Sequence, residues 1–319
     1  MLIKRTAAIP ESAVTDERVY ASRRTFLRAS LAAITGATAA GLSPPMTLAA
    51  QVSGARSLEG ARLSPFSTNE PLTTLDAIAQ YNNFYEFGAD KSDPARHAHA
   101  LTVAPWTIRV EGLVERPGTS YQIDDFVKTG ELEERIYRLR CVEGWSMVIP
   151  WIGVPLSGVI DRLRPTSKAA FVAFETVARS GEMPGLASSV LSWPYVEALR
   201  LDEARHPLTI LAVGLYGRTL LNQNGAPIRL VVPWKYGFKS AKSIVKIRFL
   251  ERRPPTSWSR AVPADFGFWA NVNPSVRRPL DQRTERRIGS FFKQRTQMFN
   301  GYAAQVASLY DGMDLVREF

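Results

Sequence analysis

From Trp106 to Leu250 the apolar residues fall into short runs of strand length, and helices do not alternate with them in any regular way. Trp106–Val114 alternates, with Ile108 and Val110 on one face and polar residues on the other, which predicts a strand with one wet side. Ile136–Cys141, Ala169–Phe174, Leu208–Leu215, Ile228–Val232 and Ile244–Leu250 are rich in β-branched residues and predict further strands. Helical spacing is confined to short pieces. These are Thr73–Tyr81, capped by Thr73 or Thr74, then Ile123–Val127 after a turn, and Pro155–Leu163, with Pro155 near its start. Tyr195–Leu199 reads as a short helical turn, and Gly301–Leu309 suits either a helix or a strand. No internal repeat is present. The chain is therefore α+β, with strand-rich mixed sheets and long loops.

The first fifty residues read as an address. Arg23-Arg24-Thr25-Phe26-Leu27 precedes an uncharged, Ala-rich stretch from Ala29 to Leu42. That stretch is too short to cross a bilayer, which needs ~20 residues. Small residues near Leu48-Ala49-Ala50 offer a cleavage site. The order predicts a twin-arginine export signal over 1–50, cleaved to leave 51–319 as one domain in the periplasm. Residues 51–72 are a polar lead-in. The first fifty residues carry six Lys/Arg and three Asp/Glu, so the remainder keeps +7 of the chain's net +10. No run of cations interleaved with aromatics follows a groove-sized element, so nucleic acid is not an expected partner.

One cysteine and three histidines stand in 319 residues. A single cysteine excludes an internal disulfide, every zinc pattern needing two thiolates and the C-x-x-C-H haem attachment. Cys141 closes a predicted strand in Tyr137-Arg138-Leu139-Arg140-Cys141-Val142-Glu143-Gly144-Trp145. A free cysteine is most often a small buried hydrophobe. Here Arg138 and Arg140 are expected to favour the thiolate, which serves as a nucleophile or as a soft metal ligand. A single soft ligand suits a metal whose other ligands arrive with an organic cofactor.

Two loops are the remaining candidates. Pro233–Ser243 interleaves Trp234, Tyr236 and Phe238 with Lys235, Lys239 and Lys242, beside Ser240 and Ser243. That composition holds a phosphate through charge, hydroxyl and backbone N–H groups, or else forms a basic surface loop. Asn82–Gly88 collects two amides, a phenol and a carboxylate, and also suits a capped helix end. His97, His99 and His206 make no metal spacing. Arg277-Arg278 and Arg283–Arg287 read as a solvated face, with docking of an acidic or membrane partner as the minority reading.

Taken together, Tyr-Asn-Asn-Phe-Tyr-Glu-Phe-Gly at 81–88, Arg-Leu-Arg-Cys-Val-Glu-Gly-Trp-Ser-Met at 138–147, Asn-Gly-Ala-Pro-Ile-Arg-Leu at 224–230, Pro-Trp-Lys-Tyr-Gly-Phe-Lys at 233–239 and Phe-Asn-Gly-Tyr-Ala-Ala-Gln-Val-Ala-Ser-Leu-Tyr at 299–310 resemble one family. It is that of the bacterial periplasmic protein-methionine-sulfoxide reductases, molybdenum enzymes of the sulfite oxidase superfamily. Gly144 stands where the family often carries Ala. The resemblance implies a sulfite-oxidase-type molybdopterin-binding fold and one molybdenum on a molybdopterin without an added nucleotide. It implies Cys141 as the metal ligand and Glu143 on the open side of the site, with Trp145 as a wall. Asn82, Tyr85, Glu86, Thr176, Asn224, Arg229, Ser240, Ala241 and Lys242 are implied to cradle the cofactor. It further implies repair of oxidised methionine in proteins and electrons from a haem-containing membrane subunit fed by quinol. The catalytic subunit is expected to be monomeric apart from that heterodimer. The alternatives are a sulfite-oxidising molybdoenzyme, for which Arg138 and Arg140 are available, and a non-catalytic exported binding protein.

Overall fold

The computed structural model describes residues 52, 54–128, 131–277 and 279–319. The twin-arginine segment and Arg278 lie outside the described residues. In chain order the strands begin with β1 (Arg62–Leu63), β2 (Thr107–Gly112), β3 (Thr119–Gln122), β4 (Glu133–Arg140), β5 (Trp145–Pro155), β6 (Phe171–Thr176) and β7 (Val196–Arg200). They continue with β8 (Ile210–Leu215), β9 (Arg218–Thr219), β10 (Arg229–Val231), β11 (Ile244–Leu250), β12 (Thr284–Arg287) and β13 (Lys293–Arg295).

Among the described residues these strands form two sheets. One runs β1-β4-β5-β12-β13, with β8 branching from β5 and pairing β9 and β10; the other runs β3-β2-β11-β6-β7. Both are mixed, since β1/β4, β2/β11 and β5/β12 are parallel and the other pairs antiparallel. One buried apolar cluster draws on both sheets, with Tyr137, Trp151, Phe174, Trp234 and Phe249 all but inaccessible.

Local chemistry explains the short helices. Thr74 caps Leu75–Gln80 by accepting from the Ala77 N–H at 3.3 Å. The helix Leu156–Leu163 follows Pro155 and buries Leu156, Val159, Ile160 and Leu163, the i, i+3, i+4, i+7 stripe. Each such side chain is worth about 1.5–3 kcal/mol on burial.

Three sequence expectations change. Val196–Arg200 is strand β7 rather than a helical turn, because pairing with β6 fixes it, Phe174 opposite Glu197 and Val172 opposite Leu199. Five residues carry too little periodicity to oppose a ladder. β5 is eleven residues with only its last not fully buried, so it offers no alternation to read. The Arg283–Arg287 stretch is no simple solvated face: β12 buries Glu285 against Arg140, and Arg287 pairs with Glu70. Gly301–Leu309 resolves as helical turns, α-helical at Ala303–Val306 and 3-10 at Ala307–Tyr310.

Candidate cofactor centre around Cys141

β4 and β5 form a hairpin, and Cys141–Gly144 is its turn. The Cys141 N–H donates to Trp145 O at 2.9 Å and the Gly144 N–H to Cys141 O at 3.1 Å. Gly144 has φ +83°, a conformation a Cβ would strain. The sulfur is buried, and it accepts two weak hydrogen bonds at 3.4 Å, from Asn83 Nδ2 and from the Glu143 N–H. Burial is the largest influence on the thiol and pushes it up to about 12, with the Glu143 charge adding to the rise.

Arg140 lowers the thiol but does not outweigh burial, contrary to the expectation from sequence. Arg140 turns from the sulfur to Glu285 at 2.8 Å and to Cys141 O, its guanidinium over the Tyr236 ring. Arg138 pairs with Glu70 and bonds Asn300 O. Arg140 holds the turn, and Arg138 ties β4 to Glu70 and Asn300. Neither is free to hold a dianion such as sulfite.

Glu143 sits at the edge of the site. Lys91 Nζ lies 3.0 Å from its carboxylate, Trp145 Nε1 donates at 2.9 Å and Asn83 Nδ2 at 3.2 Å. Burial would raise this carboxyl, but Lys91 and these hydrogen bonds outweigh it and keep it below the usual range. Tyr81 packs edge-on against Trp145, 5.2 Å between centroids.

Behind the sulfur lies a buried, charged cradle. Lys242 Nζ donates to Asn83 O at 2.6 Å, so Asn83 links the sulfur to the lysine. Arg229 opens β10, donates to Asn224 O at 2.9 Å and lies over the Trp151 ring. Among the described residues neither cation has a carboxylate within ion-pair distance. Burial pulls the Arg229 guanidinium down to about 9, and it also lowers Lys242, with Arg229 repelling it further. Glu86 is buried, accepts from Thr176 Oγ1 at 3.2 Å, and is raised by burial and partly relieved by Lys242. Gly225 has φ +97°, and a Cβ there would meet Lys242 Cβ at 2.9 Å, so glycine lets the lysine pass.

The loop Pro233–Ser243 puts only one of its three lysines here. Lys235 pairs with Glu203 at 2.5 Å and Lys239 with Glu197 at 2.9 Å, both fully buried. Ser240 Oγ accepts from the Val232 N–H, and Ala241 O accepts from the Leu230 N–H, so these two hold the loop against β10.

The model of the oxidoreductase molybdopterin binding domain matches residues 96–258. A protein of Burkholderia mallei named protein-methionine-sulfoxide reductase catalytic subunit MsrP is 52% identical over all of this chain and all of its own length. Proteins of the same name from Ralstonia nicotianae and Xanthomonas axonopodis are each 53% identical over 98% of this chain. The chain belongs to this family. The sulfane dehydrogenase SoxCD of Paracoccus pantotrophus is similar over 70% of this chain at 16% identity and a TM-score of 0.42, too low to add to the fold argument.

The residues present fit a molybdopterin. Two cations without carboxylates, Arg229 buried and Lys242 half-buried, and orphaned buried oxygens at Asn83 Oδ1 and Asn224 Oδ1, make a cradle for a polar anionic group. No cluster of three or more His, Cys, Asp or Glu able to hold a metal occurs among the described residues.

Each residue singled out from sequence has a place. Cys141, Glu143, Glu86, Thr176, Arg229 and Lys242 surround the cradle. Tyr85 stacks edge-on with Trp258, and burial, with the Glu143 charge, raises its phenol. Asn82 donates to Ile78 O and Ala79 O at the end of the helix Leu75–Gln80, and Asn224 Nδ2 donates to Asn82 Oδ1 at 3.0 Å. Both amides therefore brace the wall. Asn83 and Lys91 reach the sulfur and Glu143, and the sequence marks Asn83 only as one of two amides in the 82–88 loop and does not mark Lys91. The doubled Asn82-Asn83 gave no sign of which amide faces inward, and Lys91 lies far from Glu143 in sequence.

Proposed function

We propose that this chain reduces methionine sulfoxide side chains of proteins to methionine, with one molybdenum on a molybdopterin lacking an added nucleotide and Cys141 as the protein's ligand to it. One observation carries the reading: the chain's single cysteine faces a cradle of two carboxylate-free cations, Arg229 buried and Lys242 half-buried, in a chain of this family. When bound, the molybdenum centre supplies the two-electron redox chemistry that removes oxygen from a sulfoxide sulfur. The protein supplies the rest. The Cys141 proton must leave on ligation, since burial keeps the free thiol protonated. Asn83 Nδ2 and the Glu143 N–H donate to the resulting sulfur charge. Arg229 and Lys242 neutralise the cofactor's phosphate end, with Ser240 and Ala241 setting the loop around it, and Asn82, Asn224, Tyr85, Glu86 and Thr176 shape the pterin wall. Glu143 holds Asn83 and Trp145 in place at the open side.

Residues 1–50 are read as a cleaved twin-arginine leader and 51–319 as one domain working in the periplasm, repairing oxidised proteins. Without a haem attachment motif the chain depends on outside electrons, which a haem-containing membrane subunit fed by quinol would deliver as its heterodimer partner. Dye-driven turnover tests the reaction. Methionine sulfoxide should be consumed and sulfite should not, because Arg138 and Arg140 are committed to Glu70 and Glu285. Turnover of sulfite alone would overturn the reading, and purified protein without molybdenum or pterin would favour a binding role.

A further inference from the structure

β12 and β13 form a hairpin with Phe291 and Phe292 at its tip, 97% and 84% exposed. Ser290 Oγ accepts from the Phe292 N–H at 3.2 Å and shapes the turn. The ladder sets Arg286 opposite Lys293 and Thr284 opposite Arg295, so the three cations share one face. All three are exposed, and among the described residues none has a carboxylate within ion-pair distance. The other face is satisfied internally, with Glu285 bonded to Arg140 and Gln294.

Like charges directly opposite each other in a ladder destabilise it. Cations on an edge strand do prevent edge-to-edge pairing, which accounts for Lys293 and Arg295. It does not account for two adjacent phenyl rings left in water at the tip. A protein interface needs about 800 Å² per partner, and two rings supply about 150–250 Å² each. Paired rings with cations behind them match a surface that is apolar just beneath a negative layer. The net charge has the complementary sign, +10 for the chain and +7 without residues 1–50.

We propose that this hairpin is a membrane-docking finger: Phe291 and Phe292 enter the interface of an anionic phospholipid bilayer while Arg286, Lys293 and Arg295 face its headgroups. The finger is tied to the centre. Arg286 is paired with Trp145, and its N–H donates to Gly144 O at 2.9 Å, within the turn that carries Cys141. Docking therefore brings the Cys141 turn close to the lipid plane. This is independent of which substrate the enzyme reduces.

The test is flotation of purified holoenzyme with vesicles of equal parts phosphatidylglycerol and phosphatidylcholine, against vesicles of phosphatidylcholine alone. The enzyme should float with the anionic vesicles only and be released by high salt. Phe291→Ser with Phe292→Ser should weaken binding by about tenfold or more. The triple change Arg286→Gln, Lys293→Gln, Arg295→Gln should weaken it on the order of a hundredfold, from the usual attraction of each cation near a charged membrane. Dye-driven turnover by both variants should match the parent, which shows that they fold. Three outcomes would overturn the proposal: no flotation of the parent, equal flotation on neutral vesicles, or variants that bind as the parent does. A fourth is a solution dimer that the phenylalanine changes dissolve while lipid binding persists, since the finger would then serve a second copy of the chain.

Discussion

At Cys141 two demands conflict. A buried sulfur held up to about 12 is a poor nucleophile on its own, yet Asn83 and the Glu143 N–H already aim donors at it. A site built this way already aims at the neutral sulfur two donors that a charged sulfur would use. Cys141→Ser should abolish turnover and leave the melting temperature of cofactor-free protein within a few degrees of the parent, as calorimetry would show. The paired cations give a second expectation. Arg229→Met keeps the packing over Trp151 but removes a buried charge without a carboxylate. The purified variant should contain little pterin, while its cofactor-free form should be more stable than the parent by about 1–4 kcal/mol in denaturant titration. At this scale the sequence marks Cys141 and Lys242 as candidates through residue type alone. It could not disclose Asn83 or Lys91, because what defines them is the side chain they meet across the fold.

At the scale of elements, the β4–β5 turn is held from outside by β12. Arg140 and Glu285 are both buried, and Arg140 also donates to Cys141 O. Breaking such a pair leaves an uncompensated charge, so Glu285→Gln should cost about 3–5 kcal/mol in chemical denaturation and lower dye-driven turnover with it. Legibility here followed exposure. β2, β4 and β11 alternate or are β-branched enough to be read, and Leu156–Leu163 shows its apolar stripe. β5 was invisible because burial on both faces erases period two and Pro150, Gly153 and Pro155 read as loop. β7 is not legible as a strand because Ala198 and Leu199 are adjacent and both buried, which suits a helix as well as a strand.

Across the whole molecule, Glu70 in the polar lead-in joins β4 to β12 by pairing with Arg138 and Arg287. Burial would raise its carboxyl, but hydrogen bonds from Arg287 and Arg138 outweigh that and hold it below the usual carboxylate range. The unfolded chain therefore takes up its proton first as pH falls. Glu70 should stabilise the fold above about pH 4.5, and that contribution should vanish as acid protonates the folded form. The gap in melting temperature between parent and Glu70→Gln should thus narrow from about pH 7 to about pH 3.

The cradle is drawn from four distant stretches, at 82–86, 141–143, 176 and 224–242. An extended chain holds no trace of it, and threading this polypeptide through a narrow pore would strip whatever had been loaded. A filled enzyme that crosses a lipid barrier must do so already shaped, through a passage as wide as itself.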